Sequence, residues 1–167
     1  MLKLNGKKLE GFFDFENNEF ILNEHNNIDN FECMKNNIEG FINIPDSLTT
    51  LNCSFNKIMN LDNLNSNLET LICVENLIME LNNLPTKLKY LDCSYNIIIK
   101  LDFLPESLTI LYCLHNHIVS LDNLPRQLNI LNCESNKLTK LYNIPQNLIL
   151  CHYSDDVGIK KIMSKIK

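Results

Sequence analysis

The sequence repeats a cysteine and an asparagine at a fixed interval of 20 residues. Six cysteines recur at this interval, and an asparagine stands three residues after each one. The cysteines are Cys33, Cys53, Cys73, Cys93, Cys113 and Cys133, and the asparagines are Asn36, Asn56, Asn76, Asn96, Asn116 and Asn136. A repeat of this length is typical of a solenoid, in which each coil buries its apolar face against the next coil. The repeat therefore predicts one domain of stacked coils over residues 1–167.

The residues that precede each cysteine alternate in polarity, as in Thr50-Leu51-Asn52-Cys53. Alternation with a period of two indicates a β-strand whose Leu and Cys face inward. One such strand per coil predicts a parallel sheet of about 6–7 strands. We expect each asparagine to bind turn backbone in successive coils, and the cysteines to be free thiols that pack in the core. Cys151 takes the place of the leucine in the last coil, and Tyr153 takes that of the cysteine.

Prolines mark the other half of most coils. They are Pro45, Pro85, Pro105, Pro125 and Pro145. Proline has no backbone donor and breaks helices when it stands in their interior. The sequence therefore predicts extended or 3₁₀ segments on the convex side of the solenoid.

Both ends of the chain depart from the repeat. Asn5-Gly6 and Glu16-Asn17-Asn18-Glu19 each separate two apolar segments, which predicts a pair of β-hairpins within residues 1–23. Residues 154–167 carry four apolar residues at helical spacing, which predicts a short C-terminal helix. The four are Ile159, Ile162, Met163 and Ile166. We expect these ends to cap a repeat region of residues 24–153, because a bare terminal coil would expose apolar residues and a strand edge.

Composition and motifs argue against several functions. The net charge of -5 and the lack of a clustered basic face argue against nucleic acid binding. Neither a signal peptide nor an apolar run of about 18 residues is found, so we expect a cytoplasmic protein that does not enter a membrane. The sequence has no catalytic triad pattern and no phosphate-binding loop, which predicts neither catalytic residues nor a cofactor. His115 and His117 flank a turn asparagine, and we expect them to face solvent rather than a metal.

The outward positions of the middle strands are rich in apolar and aromatic residues. A contiguous exposed surface of this kind indicates a protein interface, in which tyrosine is a favoured residue. The β-propensity of isoleucine and tyrosine could also explain their presence on a strand face. The predicted partner-binding residues are Ile72, Val74, Tyr90, Tyr95, Ile110, Tyr112, Leu114 and Ile130.

One coil, from Leu84 to Ile98, carries the whole pattern L-P-x-x-L-x-x-L-x-(V/C)-x-x-N-x-(L/I). The repeat resembles the leucine-rich repeat family, in its short class of 20-residue LPX units. Within this class the chain looks like bacterial secreted effectors and like leucine-rich repeat proteins of amoeba-infecting giant viruses. The 27 asparagines, the cysteine column and the lack of alanine favour the viral group.

The resemblance implies an α/β-type solenoid that is mostly β, and a role in protein binding through the concave strand face. It implies no enzyme activity, because only about a dozen residues follow the last coil, too few for the ubiquitin-ligase domain that some effector relatives append. A structural or self-associating protein, such as a virion component, stays open as the alternative function. We expect a monomer, with weak self-association left open, in the host cytosol or the virion if the source is viral.

Overall fold

A computed structural model describes residues 3–4, 7–8, 11–14, 19–22, 28–138, 141, 143–154 and 160–164. Within these ranges the regular structure consists of β-strands, and no helix is found. The strands are β1 (Lys3–Leu4), β2 (Lys7–Lys8), β3 (Gly11–Asp14), β4 (Glu19–Leu22), β5 (Asn30–Glu32), β6 (Gly40–Ile42), β7 (Thr50–Asn52), β8 (Thr70–Ile72), β9 (Tyr90–Asp92), β10 (Ile110–Tyr112), β11 (Ile130–Cys133), β12 (Leu150–Ser154) and β13 (Lys160–Ser164).

The largest sheet contains one strand from each coil. Its strands β5, β7, β8, β9, β10, β11 and β12 are parallel and follow one another in chain order, and β13 completes the sheet at its far edge. Each residue pairs with the residue 20 positions further along the chain, as Leu71 does with Leu91. The predicted parallel sheet of a solenoid is therefore confirmed, with seven parallel strands.

Columns of equivalent residues form the core. The central leucine of each strand and the cysteine after it are fully buried, and so is an apolar residue on the opposite side of the coil. These columns are Leu51, Leu71, Leu91, Leu111 and Leu131; Cys53, Cys73, Cys93, Cys113 and Cys133; and Ile58, Ile78, Ile98 and Ile118. Phe31 continues the leucine column into the first coil, and Cys151 continues it into the last. The core of each 20-residue coil is only a few side chains wide, so its stability depends on stacking against the neighbouring coils.

The asparagine column connects neighbouring coils. The carboxamide nitrogen of Asn116 donates to the carbonyl of Cys113 in its own coil, at 3.2 Å, and to that of Cys93 in the preceding coil, at 3.0 Å. Its carbonyl oxygen accepts from the amide of Ile98 at 2.9 Å. Asn56, Asn76, Asn96 and Asn136 make the same pattern of bonds. The predicted role of the column in binding turn backbone is confirmed.

The return segment of each coil, which leads from the asparagine back to the next strand, makes a tight turn shortly before that strand. In the coil of Pro85 the amide of Leu88 donates to the proline carbonyl at 3.1 Å. Asn65 replaces proline in one coil, and its buried carboxamide donates to the carbonyls of Pro45 and Leu48. The sequence predicts extended or 3₁₀ segments here, and no 3₁₀ helix occurs in residues 28–138.

The first strands form two antiparallel hairpins, β1 with β2 and β3 with β4. Strand β4 also pairs in parallel with β6, which belongs to the return segment of the first coil. The ring of Phe41 in β6 packs edge-on against Phe31, with centroids 6.5 Å apart. The second hairpin is therefore attached to the return side of the solenoid, away from the largest sheet.

The C-terminal helix predicted for residues 154–167 is wrong where the structure describes this segment. Residues Lys160–Ser164 form β13, which runs antiparallel to β12 and pairs Met163 with Cys151. A helix would leave the edge backbone of β12 without partners, whereas a strand satisfies it. A single short helix also has little intrinsic stability in water. Residues 155–159 and 165–167, including Ile159 and Ile166, lie outside the described residues.

Candidate protein-binding face

The outward side chains of the largest sheet form what we call the sheet face. It comprises the first and third residues of the parallel strands and the residue that follows each core cysteine. Tyr90, Ile110 and Ile130 are the first residues of β9, β10 and β11, and the register makes them direct neighbours. Ile72 and Tyr112 lie on either side of Asp92 in the next row. Five of the eight predicted binding residues thus form two adjacent rows.

Two tyrosines are in contact at the centre of this face. The rings of Tyr90 and Tyr112 have centroids 5.9 Å apart and are tilted by 59°. Both side chains are half-buried. Burial, followed by the charge of Asp92, raises the pKa of Tyr90, so its phenol is protonated at neutral pH. Aromatic pairs in this arrangement have favourable geometry.

A third row contains Val74 and Leu114, with Ser94 between them. Val74 and Leu114 are half-buried, whereas Ser94 is buried. The Ser94 hydroxyl donates to Oδ1 of Asp92 at 2.6 Å, and the Ser94 amide donates to the same oxygen at 3.1 Å. Ser94 therefore separates the two apolar residues and fixes the Asp92 carboxylate. Asp92 was not among the predicted site residues, although its place between Ile72 and Tyr112 follows from the 20-residue register.

Tyr95 lies beside the sheet face, on the turn that follows β9. Its backbone is left-handed, with φ of 56°, and its side chain is 48% exposed. The ring stacks on the imidazole of His115 at 4.4 Å. In the same row, two coils earlier, the Lys35 ammonium lies over the ring of Phe55 at 5.2 Å. Lys35, Phe55, Tyr95 and His115 occupy equivalent turn positions. They form a row that is separate from the Tyr90 and Tyr112 pair.

The cysteines are poorly suited to chemistry. All seven are free and buried. Burial raises the pKa of Cys53 to about 12 and that of Cys93 well above its ordinary value. A hydrogen bond with the Cys151 thiol, together with burial, raises the pKa of Cys133. A reactive cysteine requires an accessible thiolate, so these side chains act as packing groups.

A second apolar surface lies on the return side and was missed from the sequence. We call it the return stripe; it comprises Met59, Met79, Ile99, Val119 and Phe103. Met79 is 58% exposed, Ile99 is 52% and Phe103 is 68%. These three border a cleft of about 520 Å³ with Glu80, Asn82, Lys100 and Asp102. The signal was available, because four of these residues recur at the 20-residue interval immediately after a buried column.

Solved structures that are similar to the chain include two bacterial proteins. YopM from Yersinia enterocolitica WA-314 superposes with a TM-score of 0.75 at 36% identity, over 80% of this chain and 30% of YopM. A leucine-rich repeat domain of a Shigella effector superposes with a TM-score of 0.68 at 30% identity, over 78% of this chain and 70% of that domain. The chain is a member of the leucine-rich repeat family. It spans 30% of the length of YopM.

Other comparisons add no further family. No protein-family model matches the chain, and no curated protein does. Over the residues that the structure describes, no helix is long and apolar enough to cross a membrane. In the same residues, no group of three or more His, Cys, Asp or Glu side chains could hold a metal ion. The leucine-rich repeat scaffold and its two exposed apolar surfaces are thus the features from which function is inferred.

Proposed function

We propose that this leucine-rich repeat protein is a non-enzymatic module that binds a protein partner on its sheet face. The observation that carries the proposal is the pair of half-buried tyrosines, Tyr90 and Tyr112, at the centre of that face. Ile72, Ile110 and Ile130 flank them in the same two rows. A central aromatic anchor surrounded by apolar residues is the usual composition of an interface hot spot.

The scaffold beneath these residues supports the proposal. Each outward residue is attached to a strand whose central leucine is fully buried and whose backbone is bonded to both neighbouring strands. A rigid face loses little conformational entropy when a partner binds, and so it retains more of the contact energy as affinity. Both structural neighbours are leucine-rich repeat proteins, a family in which protein binding is the common role.

The test is affinity capture from cell lysate with three proteins in parallel. These are the wild type, a face variant with Tyr112→Ser and Leu114→Ser, and a matched surface control with Met79→Ser and Ile99→Ser. We expect a protein that is retained by the wild type and the control and lost from the face variant. Equal retention by all three proteins would contradict the proposal. Loss of capture supports it when the face variant unfolds at the same urea concentration as the wild type.

The return stripe favours a second candidate function, self-association. Met79, Ile99 and Phe103 expose more than half of their side chains around one cleft, and exposed apolar patches are common at contacts between protein molecules. Sedimentation velocity over a hundredfold range of protein concentration measures this directly. A rise in mass that disappears in the Met79→Ser, Ile99→Ser control would support a structural role. A constant monomer mass would remove it.

We also propose that the protein works in a reducing compartment, the cytosol of a host cell or the interior of a virion. The support is that all seven cysteines are free and buried, although the chain is cysteine-rich. Secreted domains of comparable cysteine content usually form disulfides. The assignment to amoeba-infecting giant viruses is part of the same proposal, and it rests on the asparagine-rich composition. Detection of the protein in purified virions, or in the cytosolic fraction of infected cells, would test it.

A further inference from the structure

The centre of the sheet face combines two aromatic rings with one carboxylate. Tyr90 and Asp92 are the first and third residues of β9, so their side chains project from the same side of the strand. Tyr112 on β10 is the register partner of Asp92, and its ring is 5.9 Å from that of Tyr90. The carboxylate therefore lies beside the tyrosine pair, and all three side chains are half-buried.

The carboxylate is oriented and retains one oxygen for a ligand. Oδ1 of Asp92 accepts two hydrogen bonds from Ser94. Within the described part of the chain, Oδ2 receives no hydrogen bond from a neighbouring side chain or amide, and no cationic side chain forms an ion pair with Asp92. Oδ2 can therefore accept a hydrogen bond from a bound group.

The rest of the sheet face supplies no positive charge that could compensate Asp92. Over β5 and β7–β12, the outward strand positions and the residues after the core cysteines contain no Lys or Arg. They contain three carboxylates, from Glu32, Asp92 and Glu134, and one histidine, His152. His152 lies 3.9 Å from Glu134, and the nearby Lys89 is bound to Glu69 at 2.8 Å. Among the described residues, neither Lys89 nor His152 forms an ion pair with Asp92.

An aromatic ring elsewhere in the same chain is paired with a cation. Phe55, on the neighbouring turn row, has the Lys35 ammonium 5.2 Å from its centroid. Tyr95 is likewise occupied, by the stacked imidazole of His115. The rings of Tyr90 and Tyr112 contact each other and lie beside the Asp92 carboxylate. Aromatic faces and carboxylates both attract Lys and Arg side chains, and the attraction grows as water is excluded.

We propose that Tyr90, Asp92 and Tyr112 form a receptor for a Lys or Arg side chain presented by the protein partner. The basic group would bind Oδ2 of Asp92 while its methylenes or its guanidinium plane contact the two rings. The proposal rests on the proposed function, since it names the chemistry by which the same face recognises its partner. Among partners of the sheet face, it selects those that expose a basic residue within an apolar surface.

A small probe tests the receptor without knowledge of the partner. N-acetyl-arginine amide is titrated to high millimolar concentration while the tyrosine ring signals are followed by NMR. N-acetyl-citrulline amide, which has nearly the same shape and no charge, is the matched control ligand. We expect saturable shifts of Tyr90 and Tyr112 with the arginine probe, and binding about tenfold weaker with the citrulline probe, because a hydrogen bond between charged groups contributes at least that factor.

Two protein variants test whether Asp92 is the residue that binds the arginine probe. Asp92→Asn removes the charge and keeps an oxygen that can accept a hydrogen bond from Ser94. Glu32→Gln removes one charge from the same row of the sheet face, three coils away. We expect Asp92→Asn to weaken binding of the arginine probe about tenfold, and Glu32→Gln to leave it within about twofold. Equal affinity for both probes, or equal effects of the two variants, would overturn the receptor.

The lysate capture separates this inference from the proposed function. If Tyr112→Ser with Leu114→Ser abolishes capture and Asp92→Asn weakens it severalfold, both stand. If the double variant abolishes capture and Asp92→Asn leaves it unchanged, the sheet face binds a protein by another chemistry and the receptor is wrong. If neither variant affects capture, the proposed function itself is wrong.

Discussion

The carboxamide nitrogen of Asn96 donates to the backbone carbonyl of Cys73, which belongs to the preceding coil, at 3.0 Å. The same nitrogen donates to the carbonyls of Cys93 and Ser94 in its own coil, and the carboxamide oxygen accepts from the Ile78 amide. Asn96 is itself buried. One side chain therefore fixes the spacing of two coils at the point where the chain leaves the sheet.

The Asn96→Ala variant should lose about 3 kcal/mol of unfolding free energy. The substitution leaves the Ile78 amide and the Cys73 carbonyl without their side-chain partner in the interior, and each such group costs about 1–3 kcal/mol. Urea unfolding followed by circular dichroism measures the loss. Asn96→Asp should lose at least as much, because its second carboxylate oxygen would face the carbonyl oxygens of Cys73, Cys93 and Ser94 in a buried site.

Asn123→Ala is the matched control, because Asn123 is exposed and lies on the return side of the coil. It should change the unfolding free energy by less than about 0.5 kcal/mol, as surface substitutions usually do. If Asn96→Ala and Asn123→Ala were equally stable, packing of apolar columns would suffice to hold the coils and the asparagine ladder would be incidental.

The repeat region was predictable because every column is sampled several times in the sequence. A leucine that recurs five times at the same spacing identifies a buried position more surely than one leucine does, and the structure buries Leu51, Leu71, Leu91, Leu111 and Leu131 completely. The asparagine column follows the same logic, since a carboxamide at a turn has both the donor and the acceptor that turn backbone requires.

Single-copy features were predicted less well. The segment around Met163 has helical spacing, but the open edge of β12 offers it a complete set of backbone partners, and this antiparallel pairing decides its structure. Asp92 was passed over because a lone aspartate in a variable column has no recognisable pattern; its significance depends on Tyr90 and Tyr112 beside it. The columns can be identified from the 20-residue repeat, whereas contacts between residues of different columns can be assigned only from the three-dimensional structure.

Truncation of the buried leucine column should be costly in the middle of the solenoid. Leu91 is fully buried between its register partners Leu71 and Leu111. We expect Leu91→Ala to reduce the unfolding free energy by about 2–5 kcal/mol, through lost burial and the cavity that remains. Leu77→Ala removes the same atoms from a side chain that is 41% exposed and should cost much less. A smaller loss for Leu91→Ala than for Leu77→Ala in urea unfolding would contradict this account of the core.

A left-handed residue before each ladder asparagine offers a stabilising substitution. Glu75 is exposed and has φ of 54°, and five equivalent residues in other coils have φ between 52° and 60°. Non-glycine residues pay about 1 kcal/mol in this conformation, whereas glycine adopts it freely. Glu75→Gly should therefore raise the urea midpoint, and Glu75→Val, which is β-branched, should lower it. An increase in stability with valine would show that the turn is not under steric strain.

The buried thiols should make the protein sensitive to alkali. Burial raises the folded-state pKa of Cys53 to about 12 and that of Cys93 well above its ordinary value, whereas an unfolded thiol titrates near about 8.5. Below the unfolded pKa both states are protonated and the stability is fully present. As pH rises above it, the unfolded chain releases protons that the folded protein retains, and stability is lost until the folded pKa is reached.

Replacement of one core cysteine isolates this contribution. Between about pH 7.5 and about pH 9.5, each such thiol should lower the unfolding free energy by about 1.4 kcal/mol. Over the same interval, the unfolding free energy of Cys93→Val should therefore fall by about 1.4 kcal/mol less than that of the wild type. Valine, like the buried thiol, packs as a small apolar group, and it does not titrate. The titration of other alkaline groups cancels in the difference between the two proteins. Urea unfolding at the two pH values measures it. Identical pH dependence of the two proteins would mean that the Cys93 thiol titrates alike in the folded and unfolded states, and that water reaches the cysteine column.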